Sequence, residues 1–112
     1  MIEVCVELQF SASNHPNGSS PPTEVTVEVV NGTNAHDMLV EASIQHSRYD
    51  FTTKDTSYGR MIESICDIYT RPNEMFYWLI YIDEKSAPVG IDDLKPGQGS
   101  KLSFRYQKLN WG

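Results

Sequence analysis

Positive charge is scarce in this chain of 112 residues: nine lysines and arginines stand against fifteen aspartates and glutamates, a formal net charge of −6. A nucleic-acid binder must neutralise phosphates, and a protein lying on an anionic membrane needs a basic face; this balance argues against both. Long apolar runs are also missing. The most hydrophobic segment, from Met75 to Ile82, has eight residues, where a membrane-spanning helix needs about 20. The two cysteines, Cys5 and Cys66, are too few for a disulfide framework and lack metal-site spacing. Of the three histidines, His36 and His46 lie ten residues apart on a predicted helix and cannot converge on one ion.

Catalytic signatures are absent too. Gly97-Gln98-Gly99 runs into a strand instead of a helix, so it is not a phosphate loop. There is no Gly-x-Ser-x-Gly elbow and no Cys–His arrangement, and Asp92-Asp93 sits in a turn where carboxylates face water. No catalytic residue, no metal ligand and no enzymatic activity are expected. Met1-Ile2-Glu3-Val4 enters a strand pattern directly, without the basic start and longer apolar run of a signal peptide. That leaves an intracellular protein or the processed part of a secreted one. What remains is enough apolar material, 39% of residues, to build one core, and a length that suits a single domain over 1–112.

Ile2, Val4, Val6, Leu8 and Phe10 alternate with Glu3, Cys5, Glu7 and Gln9, the period of a half-buried strand, which puts Cys5 on its polar face. Residues 11–22, rich in Ser, Asn, Gly and Pro, predict a flexible loop. Val25, Val27 and Val29 alternate again, so the two strands form an antiparallel hairpin. Asn34, with Asp37 three residues on, caps a helix carrying Ala35, Met38, Leu39 and Ala42 on one face, widened by Val40 and Ile44. It is expected to end near His46 to Arg48, with a basic last turn matching the dipole. Residues 52–59 read as a polar loop, Arg60 to Ile68 as a third strand, and Met75 to Ile82 as a central strand buried on both faces. Two turn clusters, at 83–88 and 94–99, precede a last strand with Leu102, Phe104 and Tyr106 on one side. Cys66 falls on a different strand from Cys5, so both thiols are expected free. One helix can cover only one face of a mixed sheet, and this order of elements predicts an α+β domain of the β-grasp, ubiquitin-like kind.

Two loop-to-strand junctions concentrate apolar and aromatic residues: 57–62, and Phe76-Tyr77-Trp78 onward through Pro88. Around a glycine, such residues suit a broad ligand that packs on side chains and meets backbone groups closely. At these same places the sequence resembles a known family. Phe51-Thr52-Thr53, Thr56-Ser57-Tyr58-Gly59, Ser64-Ile65, Tyr77-Trp78 and Gly90-Ile91-x-Asp93 are similar, in this order and at nearly this spacing, to the C-terminal β domain of the cobalamin carriers transcobalamin, intrinsic factor and haptocorrin.

The resemblance implies a β-grasp-like module that binds cobalamin or a related corrinoid without catalysis. It implies contacts from Ser57, Tyr58, Gly59, Met61 and Ile62, and from Trp78, Tyr81, Ser86 and Ala87. In that family the ligand is buried between this domain and a helical barrel, so tight binding is expected to need a helical partner domain in trans. It also implies secretion, consistent with acceptor sequons at Asn17 and Asn31. The alternative is a β-grasp module that has lost corrinoid binding and docks a protein instead.

Overall fold

The structure is a computed structural model that describes residues 1–9, 24–57 and 59–108. The predicted loop at 11–22, Phe10, Tyr58 and the chain beyond Lys108 lie outside the described residues.

Strand β1 (Ile2–Gln9) pairs antiparallel with β2 (Glu24–Val29), Ile2 opposite Val29 and Val6 opposite Val25. The valines of both strands therefore share one face, as the period-two pattern requires. Helix α1 (Ala35–Gln45) packs on that face with Ala35, Met38, Leu39 and Ala42 buried, and the Asn34 side chain accepts the Asp37 N–H at 2.9 Å. Strand β8 (Lys101–Lys108) runs parallel to β1 and antiparallel to β6 (Phe76–Ile82), whose outer edge carries the short β7 (Lys85–Ser86). The main sheet thus has five strands in the order β2-β1-β8-β6-β7, a mixed sheet with one α-helix among the described residues.

Beside it lies a separate three-stranded antiparallel sheet: β3 (Phe51–Thr56), β4 (Gly59–Ile65) and β5 (Ile68–Tyr69). Two hairpins close tightly. The Cys66-Asp67 turn joins β4 to β5, and the Asp83-Glu84 turn joins β6 to β7. All four turn residues have positive φ, the backbone of two-residue turns that match strand twist.

Five sequence expectations are corrected. Residues 52–56, read as the first part of a loop, belong to strand β3: Thr53 sits opposite Ile62 and Lys54 opposite Met61. This strand has a single apolar residue, Phe51, so pairing with β4 and not hydrophobic alternation holds it. The third strand stops at Ile65, because the chain reverses at Cys66-Asp67; Cys66 is a turn residue and not a strand residue. Helix α1 ends at Gln45 with no basic residue in its last turn. His46 turns extended, and Arg48 falls in a single 3-10 turn, Ser47–Tyr49, that drives the Tyr49 ring into the core. Ile44 does not extend the buried stripe; it is 72% exposed. Finally, the central strand is β8, which lies between β1 and β6 and buries Leu102, Ser103, Phe104 and Tyr106. Strand β6 has only the two-residue β7 beyond it and is half-buried apart from Trp78.

The polar face of β1 is not wholly solvated either. Glu7 is buried, and its carboxylate accepts from Ser103 Oγ and Gln9 Nε2, each at 2.8 Å, with Lys101 Nζ 3.8 Å away. Burial by itself raises that carboxyl, but the two hydrogen bonds and the Lys101 and Arg105 charges outweigh it and hold the group below its ordinary range.

Candidate functional site

A cleft of about 340 Å³ opens where the outer face of the β3–β4 hairpin meets β5 and the start of β6. Its walls include Lys54, Met61, Glu63, Tyr69 and Tyr77. Lys54 and Met61 are direct cross-strand partners, so the pleat turns both side chains to the same side. Met61 is 41% exposed and Tyr69 50% exposed, which is unusual for side chains of that size in a domain this small. Beneath them Ile62 points the other way and is 3% exposed, so it floors the cleft from the core.

The small sheet is tied to the large one at its β5 end. Trp78 Nε1 donates to the Ile68 carbonyl at 2.8 Å, and Tyr106 Oη donates to the Tyr69 carbonyl at 2.7 Å. The two rings pack on each other with centroids 5.2 Å apart, and burial pushes the Tyr106 hydroxyl's pKa up. Trp78 is 6% exposed. It supports the cleft from behind.

The other end of the hairpin is tied by Arg60. Its guanidinium holds the Asp92 carboxylate through Nε and Nη2, and Nη1 lies 3.2 Å from His36 Nε2. Asp92 belongs to the turn at 90–94, which caps α1: the Ile91 and Leu94 carbonyls accept from the His36 and Ala35 N–H groups. Hydrogen bonding to Arg60 holds the Asp92 carboxyl below its usual range.

The residues singled out from sequence fall in two groups. Ser57 is exposed in the turn at the tip of the hairpin, and Gly59 opens β4 with φ +106°, a conformation that favours glycine. Tyr58 lies outside the described residues. Met61 and Ile62 meet in the cleft. Trp78 and Ala87 belong to the core side of the main sheet, Ala87 donating its N–H to the Ile80 carbonyl. Tyr81 and Ser86 are paired across β6 and β7 and share the opposite face with Tyr77. There Arg105 lies 4.1 Å above the Tyr81 ring, itself paired with Glu84 at 2.7 Å. The structure does not bring Tyr81, Ser86 and Ala87 into the cleft. Sequence reasoning missed Lys54 and Tyr69 as its walls; it placed Tyr77 within the second junction without naming it as a contact. Tyr77 carried a signal, since it alternates with Leu79 and Tyr81 on the side away from the core; Tyr69 carried none without the turn that sets it beside Glu63.

Apolar and aromatic packing surface from Met61, Tyr69 and Tyr77, with Lys54 and Glu63 at its edge, is what this wall offers. No imidazole lines the cleft, and among the described residues no cluster of three or more His, Cys, Asp or Glu side chains is placed to hold a metal ion. Both cysteines are free, in agreement with expectation.

The fold and the cleft define a small α+β domain in which a helix-backed mixed sheet carries a second, outlying hairpin sheet. The family model described as "Domain of unknown function (DUF4430)" matches residues 30–108, and the chain belongs to that family. Among solved structures, haptocorrin in complex with Cbi superposes with a TM-score of 0.81 at 21% identity, over 97% of this chain and 25% of that one. A protein from Ruminococcus gnavus ATCC 29149, described as a "putative metal binding protein", superposes with a TM-score of 0.65 at 11% identity, over 98% of this chain and all of that one. These likenesses establish the fold. The chain spans about a quarter of the haptocorrin chain's length. No curated protein matches it in sequence.

Proposed function

We propose that this domain is a non-catalytic carrier module of β-grasp type that contributes one wall of a pocket for cobalamin or a related corrinoid. The observation that carries the reading is the coincidence of two things at one place. The hairpin that bears Thr56, Ser57, Gly59 and Met61, the part resembling the cobalamin carriers, is also the hairpin whose outer face forms the cleft. The likeness to haptocorrin, determined with Cbi bound, supports it, and the parallel pairing of β1 with β8 beneath α1 is compatible with a β-grasp layout.

The physics fits the cargo. A corrin is a broad, largely apolar macrocycle fringed with amides, so it suits the Met61 side chain, tyrosine rings and open backbone groups. The cobalt chemistry is the ligand's own, and the wall has only to pack against it. In this reading Ser57, Tyr58, Gly59 and Met61 touch the ligand, Ile62 and Trp78 stiffen the wall behind them, and Tyr81 and Ser86 form the far rim, with Ala87 on the core side behind it. One wall leaves much of the ligand wet, and binding must offset the loss of rigid-body freedom. Affinity alone is therefore about micromolar, roughly −8 kcal/mol, and a helical domain in trans completes the pocket. A carrier of this kind works outside the cell, with the exposed sequon at Asn31 as a glycan acceptor.

Titration with cobinamide and with cobalamin, followed by amide chemical shifts, tests the reading. Shifts clustered at 57–62 and at Tyr77, saturating in the micromolar range, are expected. No shift there at millimolar corrinoid would leave the protein-docking module as the better reading.

A further inference from the structure

The outlying sheet shares the core through Ile62, Ile65 and Ile68, and among the described residues side-chain hydrogen bonds tie it to the rest of the molecule at two further places. One is the aromatic pair Trp78 and Tyr106 under β5; the other is Arg60, one residue from the glycine at the hairpin tip. We propose that Arg60 is a positioning residue for this hairpin, holding it against the N-terminus of α1 through Asp92 and His36, and that proton uptake by His36 loosens the hold.

The partner of Arg60 is itself well fixed. Asn34 Nδ2 donates to the Asp92 carbonyl at 3.2 Å, Ile91 and Leu94 are buried, and their carbonyls hold the first turn of α1. Arg60 Nε lies 3.2 and 3.1 Å from the two Asp92 oxygens, a forked arrangement that fixes orientation as well as distance. The third contact sets the state of His36. Arginine only donates, so His36 Nε2 at 3.2 Å from Nη1 must accept, and the ring proton resides on Nδ1, 2.9 Å from Asp37 Oδ1. The ring also stands edge-on to Phe51 of β3, 5.4 Å between centroids. An imidazolium has no lone pair for Nη1, so the arm to His36 is lost when the ring is charged, while the bond to Asp37 survives.

The charged groups around this cluster are Asp37 from α1, Arg60 from β4 and Asp92 from the 90–94 turn, with Asp55 of β3 acting on Arg60. Because the hydrogen bond from Arg60 lowers the Asp92 carboxyl's pKa, the fork persists where histidines ordinarily titrate, between pH 5 and 8. The hairpin is then loosened and not released. The side chains of Arg60 and Asp92 are 38% and 37% exposed, so solvent screens the pair and its effect stays local.

The consequence for ligand rests on the corrinoid reading; the consequence for the hairpin does not. Hydrogen exchange of the free protein at pH 7.5 and 5.5, corrected for intrinsic rates, separates the two. Arg60→Gln should speed exchange at 53–62 about threefold at pH 7.5 while β1 and β8 are unmoved. The exchange of charges in Arg60→Asp with Asp92→Arg should restore protection. Wild-type hairpin amides should exchange faster at pH 5.5. His36→Gln, whose amide oxygen accepts from Arg60 at both pH values, should remove that dependence. Unchanged hairpin exchange in Arg60→Gln, or a pH dependence that survives His36→Gln, overturns the proposal. A wild-type protein that ignores cobinamide, with Arg60→Gln still loosening the hairpin, upholds the positioning role and removes the corrinoid reading instead.

Discussion

The indole N–H of Trp78, on β6, meets the carbonyl of Ile68, on β5, at 2.8 Å, and this bond joins the two sheets of the domain. A residue that sequence placed among the ligand contacts thus also supports the wall on which the ligand would rest. Trp78→Phe keeps most of the ring volume but leaves the Ile68 carbonyl without this donor. Loss of one such hydrogen bond costs about 0.5–1.5 kcal/mol. Urea unfolding should register a loss of that size, with β4 and β5 amides losing protection first. A neutral substitution would show that the small sheet is held elsewhere.

Met38 and Met61 separate stability from binding. Met38 is fully buried between α1 and the sheet, and Met38→Ala is expected to cost about 2–5 kcal/mol by leaving a cavity. Met61 stands at the cleft wall with much of its surface in water, so Met61→Ala should change stability by no more than about 0.5 kcal/mol. It should nevertheless weaken cobinamide binding severalfold. Equal effects of both variants on unfolding would place Met61 in the core.

Glu7 makes acid stability depend on one buried carboxylate. Its folded-state pKa lies below the unfolded value, so its contribution is present above the ordinary glutamate value of about 4.3 and is lost as pH falls through the folded value. Glu7→Gln should lower stability near pH 7 by about 1–2 kcal/mol and flatten the acid limb below pH ~4.3. Unfolding midpoints measured from pH 2.5 to 7 give both quantities. An acid limb of the same slope in both proteins would assign it to other carboxylates.

Both thiols are free, and burial pushes the pKa of each up, for Cys5 with help from Glu24. Thiolate is the reactive form. Alkylation at pH 7 should therefore be slower at both than in an unstructured peptide, and the intact mass should not change on reduction. A mass about 2 Da low, restored by reductant, would mean that Cys5 and Cys66 can approach within disulfide range.

The amino-acid order alone settled the elements whose faces differ in polarity. Period two in β1, β2 and β8, period 3.6 in α1 and the Asn34 cap are local facts, because each side chain's neighbours along its own element decide which way it points. The motifs between Phe51 and Gly59 marked that stretch as resembling the cobalamin carriers, but not as a hairpin. Strand β3 was not, since threonines and a lysine show no hydrophobic rhythm, and only hydrogen bonds to β4 make them a strand. Nor could composition rank β6 against β8: the more hydrophobic segment lies near an edge, and the alternating one lies in the middle. The joining of Arg60 to Asp92, 32 residues apart, and of Met61 to Tyr77 in one cleft also required the assembled chain. Periodicity records which side of an element meets the core; which strands become neighbours is decided by backbone pairing over long separations, where no local pattern carries the information.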